Sequence, residues 1–234
     1  MTSDATISVI TPTADQPTGL ALLERYMQRQ TMRPTEWIVA DDGLVPAVLN
    51  CGQKHVRRER TSEGGASLAE NLLAALEVAS GDIIAIFEHD DWYAPIHLEF
   101  LTSRVAQRGK ATGSMKQRYF NVAARKYRLM DNVGSCLCNT VFSRELVPVM
   151  KQACKRVLRQ KTICVDRFFW DALSNAQKDI HNINTVVGIK GLPGRKGLGI
   201  GHRPEGPKWH ADPNLERLRE WIGDDVRNYE DLNA

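Results

Sequence analysis

Three short β-branched and apolar segments in the first half of the chain each run directly into polar residues. They cover residues 6–11, 36–40 and 82–87, and they lead into Thr11-Pro12-Thr13, Asp41-Asp42-Gly43 and Glu88-His89-Asp90-Asp91. Between them, residues 19–30 and 67–79 repeat apolar side chains at helical spacing. Strands that alternate with helices predict an α/β fold with a mostly parallel central sheet flanked by helices. Because ligands bind beyond the carboxyl ends of such strands, we expect a site at this edge.

The second half of the chain is less regular. Its sequence predicts helices over residues 97–108, 143–159, 165–177 and 213–222, strands of mixed direction within 111–129, and a short strand over 186–189. Residues 190–208 contain six glycines and three prolines, which predicts a mobile loop. A chain of 234 residues is long enough for one sizeable domain, and we expect a single domain over residues 1–234.

The composition excludes several classes of protein. No apolar run approaches the roughly 20 residues of a membrane helix, and the first residues lack the basic and apolar pattern of a secretory signal, so a cytoplasmic location is expected. The five cysteines are odd in number and lack zinc-site spacing, which predicts reduced thiols. There is no P-loop motif and no Gly-x-Gly-x-x-Gly after the first strand, which argues against P-loop and dinucleotide-binding proteins.

The paired carboxylates at two strand ends indicate a bound cation. A single Asp-Asp pair is also typical of a turn or a helix cap, but two pairs on neighbouring strands repel one another unless a cation compensates them. Ligation by oxygen atoms favours Mn²⁺ or Mg²⁺ over zinc. Such an ion would neutralise the charge on a departing nucleoside diphosphate.

Three of these segments together resemble the nucleotide-binding half of family 2 glycosyltransferases of the GT-A fold. The resemblance rests on Ile7-Ser-Val-Ile-Thr-Pro-Thr13, Trp37-Ile-Val-Ala-Asp-Asp-Gly43 and Gly81-Asp-Ile-Ile-Ala-Ile-Phe-Glu-His-Asp-Asp91, and it covers about residues 5–105. It implies a Rossmann-like half over residues 5–105 that binds a nucleotide sugar, and an acceptor-binding half over 106–234. A looser match continues through Val165-Asp-Arg-Phe-Phe-Trp170 and the loop before His202.

The resemblance also implies roles for single residues. Thr11, Pro12 and Thr13 would line the nucleotide pocket, Asp42 would read the base, often uracil, and Asn71 would face the nucleotide. Asp91 would ligate the metal, Asp90 would contact ribose or metal, and Glu88 and His202 are further metal candidates. Asp166 would be the catalytic base. Its ordinary alternative is an N-cap, and that of His202 is a structural histidine. Trp92 and Trp209 are candidates to cover the sugar or the acceptor.

These roles predict metal-dependent, inverting transfer of a sugar from a nucleoside-diphosphate sugar, a UDP-sugar above all, to an acceptor hydroxyl. The acceptor is expected to be a glycan or an anionic molecule. Lys151, Lys155 and Arg159 form a basic stripe at helical spacing, which indicates either a solvated face or contact with an anion such as DNA. Glycosylation of hydroxymethylated bases in DNA is therefore an alternative. A nucleotidyltransferase and a non-catalytic sugar-nucleotide-binding module are two others.

Overall fold

The computed structural model describes residues 5–108, 110–131, 134–194, 196–230 and 232. The described residues contain twelve strands: β1 Ile7–Thr13, β2 Glu36–Asp41, β3 Lys54–Arg57, β4 Ile83–Ile86, β5 Asp91–Tyr93, β6 Ala111–Ser114, β7 Lys116–Asn121, β8 Lys126–Asp131, β9 Val141–Ser143, β10 Lys178–His181, β11 Val186–Lys190 and β12 His210–Ala211. The α-helices of the same residues are α1 Pro17–Gln28, α2 Gly65–Val78, α3 His97–Arg108, α4 Val147–Gln160, α5 Val165–Ala172, α6 Glu216–Ile222 and α7 Arg227–Glu230.

A seven-stranded sheet forms the centre of the fold, in the order β10-β6-β9-β4-β1-β2-β3. Strands β4, β1, β2 and β3 are parallel, as the alternation of strands and helices predicts. Strand β9 is antiparallel to both of its neighbours, β4 and β6. The sheet is therefore mixed, with a parallel half that ends at the expected polar residues.

Apolar residues cover both faces of this sheet because successive side chains of a strand point to opposite faces. Val9 and Val39 pack in one cluster with the apolar face of α1. Ile10 and Ile38 pack in a second cluster with α2 and α4. All four side chains are fully buried. Burial on both faces explains why the central strands read as continuous apolar runs rather than as alternating ones.

A second sheet of five strands, in the order β12-β8-β7-β11-β5, lies beside the first. Strands β7 and β11 are parallel, and the other neighbours in this sheet are antiparallel. Strand β5 begins at Asp91, the last acid of the Glu88–Asp91 segment. This short strand therefore connects the acidic end of the first sheet to the edge of the second.

The structure departs from the expected elements mainly in the second half. The predicted helix over 165–177 ends at Ala172, because Ser174 and Gln177 form a capping box that starts a separate 3-10 turn at Asn175–Gln177. Strands β9, β10 and β12 were not expected, and their length of two to four residues is too short to carry a periodic signal. Among the described helices, none has the length and apolar character that a membrane span requires.

Candidate active site

A cavity of about 240 Å³ opens at the carboxyl ends of β1 and β4. Its walls also include the first turns of α2 and α5, Tyr119 of β7, Lys190 of β11 and residues 196–202. The predicted residues that line it are Pro12, Thr13, Asn71, Glu88, Asp90, Asp91, Asp166 and His202. The fold thus brings residues that lie up to 190 positions apart in the sequence to one place.

Lys190 binds the acidic segment at the floor of the cavity. Its Nζ lies 2.8 Å from Asp90 Oδ1 and 2.6 Å from Asp91 Oδ1, and all three side chains are largely buried. Burial alone would lower the pKa of Lys190, but the two carboxylates outweigh this effect and raise that pKa well above its ordinary value. Lys190 is therefore a fixed cation beside the two aspartates.

The acids of this segment differ strongly in their electrostatic surroundings. Burial raises the pKa of Glu88 to about 8, and the nearby Asp91 carboxylate contributes to the shift. Burial also raises the pKa of Asp91. Although burial acts on Asp90 in the same direction, the Lys190 ammonium holds the pKa of Asp90 well below its usual range. The segment thus favours the charged form at Asp90 and disfavours it at Glu88 and Asp91.

The donor atoms around Asp91 fit a divalent metal. Asp91 Oδ2 is buried and accepts no hydrogen bond, whereas Oδ1 is used by Lys190. One ligand atom each of Glu88, Asp91 and Cys138 lies within 4.8 Å of the others. An ionised oxygen that is buried without a partner is costly, and a cation would satisfy it. Asp91 and Glu88 could hold an ion here, with the Cys138 sulfur beside them, and their role as ligands stays a prediction.

His202 contacts the oxygen of Asp90 that Lys190 does not use. Its Nε2 is 3.4 Å from Asp90 Oδ2. The ring packs closely on Gly197, since a Cβ built on that glycine would collide with the imidazole. The structure thus places His202 at the cavity wall beside Asp90, and metal ligation by His202 stays a prediction.

Asp166 lies in the first turn of α5 and lines the same cavity as the acids of the Glu88–Asp91 segment. Its Oδ1 accepts a hydrogen bond of 2.7 Å from the backbone nitrogen of Arg167, and burial raises its pKa. The helix begins one residue earlier, at Val165, with Cys164 in the N-cap position. The alternative of Asp166 as the N-cap is therefore wrong, because the helix starts before it.

Asp42 and Thr11 lie one layer behind the cavity wall. Asp42 is buried, and its carboxylate accepts hydrogen bonds from Ser67 Oγ at 2.6 Å and from Asn71 Nδ2 at 2.9 Å. The Thr11 hydroxyl accepts one from Trp37 Nε1 at 2.9 Å. Both side chains are occupied by these internal contacts and neither lines the cavity. Their direct contact with a nucleotide stays a prediction, whereas Asn71 and Thr13 are in place for it.

The two tryptophans considered for the sugar or the acceptor are buried elsewhere. Trp92 lies in the hydrophobic core, and its Nε1 donates to Asp225 Oδ2 at 2.6 Å. Trp209 is also buried, and neither ring lines the cavity. The prediction for both is therefore wrong. Trp92 follows Asp91 on β5, so its side chain points to the opposite face of the strand.

Two residues that line the site escaped the sequence analysis. Lys190 ends a short apolar strand just before the glycine-rich loop, and it lines the cavity. A cation at the end of a strand was the sequence signal that could have placed Lys190 near the acids. Cys138 lies beside Cys136, with 3.1 Å between the sulfur atoms of the two free thiols. No pattern in the sequence placed these two thiols beside Asp91.

Residues 196–202 form the outer wall of the cavity. Leu198 packs on Gly64 at the start of α2, so closely that a Cβ at Gly64 would collide with its Cδ1. Leu198 and Ile200 are nevertheless more than 40% exposed. The predicted loop over 190–208 includes Arg195, which lies outside the described residues. We expect this segment to close further over a bound donor.

Limited trypsin cleavage after Lys196 tests that expectation. Cleavage should slow when nucleoside diphosphate and Mn²⁺ are added together, because a closed segment is a poorer substrate for a protease. Cleavage at other sites of the chain serves as the internal control. Equal rates at Lys196 with and without ligand would contradict closure.

The model of the family described as Glycosyl transferase family 2 matches residues 8–170. TarS of S. aureus superposes with a TM-score of 0.55 at 12% identity, over 96% of this chain and 40% of that chain. A mannosyltransferase, PcManGT from Pyrobaculum calidifontis, superposes with a TM-score of 0.54 at 16% identity, over 82% and 58%. No curated protein matches the sequence. These identities show a shared fold, and the chain spans less than two thirds of either neighbour.

Proposed function

Because the chain belongs to glycosyl transferase family 2, we propose that it transfers a sugar from a nucleoside-diphosphate sugar, a UDP-sugar above all, to an acceptor hydroxyl with inversion at the anomeric carbon. The chain is a glycosyltransferase of the GT-A fold. This membership favours glycosyl transfer over the nucleotidyltransferase and the non-catalytic module. The observation that carries the proposal is the buried, unpartnered Asp91 Oδ2 in a cavity shared with Lys190 and Asp166.

The nucleotide would lie along the end of β1 and the first turns of α2. Thr13 and Asn71 line this part of the cavity, and Asn71 Nδ2 also donates to the Thr13 carbonyl at 3.1 Å. Asp42 holds Asn71 and Ser67 in place from behind. The base-reading role implied for Asp42 would therefore be indirect. Asp42 would position Ser67 and Asn71, and these two residues would face the nucleotide.

The diphosphate would lie near the acidic segment, where two kinds of positive charge are available. Asp91 and Glu88 would hold Mn²⁺ or Mg²⁺, as PcManGT was crystallised with GDP-Man and Mn²⁺. Such an ion supplies charge neutralisation at the leaving phosphate. Lys190 adds a second cation that is already positioned by Asp90 and Asp91. Its ammonium would attract the diphosphate oxygens whether the metal is present or not.

Asp166 would act as the base on the acceptor side. Its carboxylate takes the proton of the acceptor hydroxyl while the oxygen attacks the anomeric carbon and the bond to the diphosphate oxygen breaks. Its raised pKa strengthens it as a base, provided that the pH keeps it ionised. The single displacement inverts the anomeric carbon and needs no covalent intermediate.

A screen of nucleotide sugars by thermal shift, with and without Mn²⁺, tests the donor class. A donor that binds only the folded protein stabilises it by mass action, by about 2.7 kcal/mol when the donor concentration is 100 times its Kd. The melting temperature rises as a result. We expect a shift with one class of nucleotide sugar that is larger with Mn²⁺ than in EDTA. A protein that responds to no nucleoside diphosphate or nucleotide sugar would contradict the proposal.

A further inference from the structure

A groove of about 670 Å³ lies along the β7–β8 hairpin, outside the cavity described above. Four basic residues line it, and we call it the basic groove: Lys116, Arg118, Arg128 and Lys208. Asn182 and Asn184 form part of its rim. Among the residues that the structure describes, Asp131 is the only acid in the lining, and it pairs with Lys116 at 2.8 Å. The groove therefore carries an excess of positive charge.

Arg128 is the best-placed cation of the groove. Its guanidinium is half-buried, and its Nε is fully buried with no hydrogen-bond acceptor. Within the described part of the chain, no carboxylate reaches ion-pair distance of Arg128 or Lys208. A buried donor of a charged group is costly to leave unsatisfied. A bound anion in the groove would supply the missing acceptor.

The register of the second sheet connects the groove to the reaction centre. Asp91 pairs with Gly188, Gly188 pairs with Tyr119, and Tyr119 pairs with Arg128. Directly paired residues of neighbouring strands point to the same face, so Asp91, Tyr119 and Arg128 share one face of the sheet. Three strand spacings separate Asp91 from Arg128, which is about 14 Å between their Cα atoms.

Gly188 leaves room for the Tyr119 ring in this row. A Cβ at Gly188 would lie 2.6 Å from Cδ1 of Tyr119, so the tyrosine ring lies over the glycine, and Tyr119 also lines the catalytic cavity. Gly201 packs on the same ring, so an acceptor with one end near Asp166 and Asp91 and its other end in the basic groove would displace the Gly201 segment from Tyr119. Tyr119 is the only side chain between the two ends of this row.

We propose that the basic groove binds a phosphate group of the acceptor, several bonds away from the hydroxyl that receives the sugar. This inference rests on the proposed function, because it names the chemical class of the acceptor. Arg128 reaches the groove from β8 and Lys208 from the segment before β12, whereas Arg118 of β7 lies on the opposite face and stacks on Trp221. A phosphate accepts hydrogen bonds in tetrahedral directions and suits such an arrangement, whereas the two oxygens of a carboxylate lie in one plane.

The basic stripe on α4 offers a matched comparison. Lys155 and Arg159 are exposed there, whereas Lys151 already pairs with Glu77 at 2.8 Å. This stripe lies on a convex helix face and lines neither the groove nor the cavity. The double variant Arg128→Gln with Lys208→Gln removes two charges from the groove, and Lys155→Gln with Arg159→Gln removes two from the stripe.

The test measures binding of a labelled single-stranded oligothymidylate to the full chain over a range of salt concentrations. Each phosphate contact with a single strand contributes about −0.7 to the slope of log K against log salt. The groove variant should bind more weakly, and its slope should be shallower by about 1.4, because two phosphate contacts are removed. The stripe variant should keep both the affinity and the slope of the wild type.

Two further arms identify the anion. Displacement of the strand by inorganic phosphate would assign the groove to a single phosphate group, and failure of displacement would assign it to a phosphodiester chain. Stronger binding of poly-glutamate than of oligothymidylate would overturn the phosphate assignment. Equal losses in both double variants, or none in either, would overturn the groove as the site.

Nucleoside-diphosphate binding, measured by calorimetry on the same proteins, separates the two levels of inference. The groove variant should bind the nucleotide as the wild type does, because the groove lies outside the donor cavity. If the wild-type protein binds the nucleotide but the groove variant binds oligothymidylate as strongly as the wild type does, the groove is rejected and the proposed function stands. A wild-type protein that binds no nucleotide would reject the proposed function, whatever the oligothymidylate result.

Discussion

Asp91→Asn is expected to reduce transfer by about 10²–10³-fold or more. Asp91 Oδ2 is the buried oxygen without a hydrogen-bond partner, and Oδ1 holds Lys190. A neutral amide neither balances a divalent ion nor pairs with the ammonium. The variant should lose the Mn²⁺-dependent part of nucleoside-diphosphate binding, which calorimetry in Mn²⁺ and in EDTA measures.

Asp224→Asn is the matched control for this substitution. Asp224 has a side chain that is 92% exposed and does not line the cavity. The control variant should keep wild-type turnover and wild-type dependence on Mn²⁺. Full activity of the wild-type enzyme in EDTA would contradict metal dependence, and would leave Lys190 as the cation at the leaving diphosphate.

The parallel half of the first sheet and its polar edge follow from the sequence because each strand there carries its own signal. The strand predicted over residues 36–40 is found as Glu36–Asp41, and it is β-branched, buried on both faces and directly followed by acids. Strands β1 and β4 are likewise buried and apolar, and they lead into Thr13 and into the Glu88–Asp91 segment. Such local patterns predict both the elements and the edge at which their ends meet.

The second sheet escaped prediction because its pairing joins distant segments. Strand β5 has three residues, and its partner β11 lies about 90 positions later. Neither segment reveals this pairing, since a strand of three residues carries little periodicity. For the same reason the sequence did not show that Lys190 meets Asp90 and Asp91, or that Arg128 lies in the same cross-strand row as Asp91.

The positions of single side chains were also beyond a local pattern. Asp42 follows a buried strand, as a nucleotide ligand would, yet Ser67 and Asn71 of α2 occupy its carboxylate. Trp92 follows the acids but points into the core, where Asp225 accepts its Nε1 hydrogen. Whether a polar or aromatic residue faces a cavity depends on partners from elsewhere in the chain, and one sequence does not name them.

Asp166→Asn is expected to reduce turnover by about 10²–10⁴-fold while folding and donor binding stay intact, if Asp166 is the general base. An amide does not take the proton of the acceptor hydroxyl. The substitution keeps an oxygen that accepts the hydrogen bond from the Arg167 nitrogen, so the first turn of α5 should persist. Because burial raises the pKa of Asp166, its ionised form is disfavoured in the folded protein, and a neutral amide should not lower the melting temperature.

The pH profile of kcat/KM separates a base from a positioning residue. Only ionised Asp166 accepts a proton, so wild-type activity should fall as the pH drops through a pKa above the ordinary value for aspartate. The remaining activity of Asp166→Asn should lack this acidic limb. Asp171→Asn on the same helix is the matched control, because Asp171 is 61% exposed and lies outside the cavity lining. If Asp171→Asn instead lost turnover while Asp166→Asn kept it, the base would be Asp171, and the acceptor hydroxyl would have to approach from the exposed side of α5.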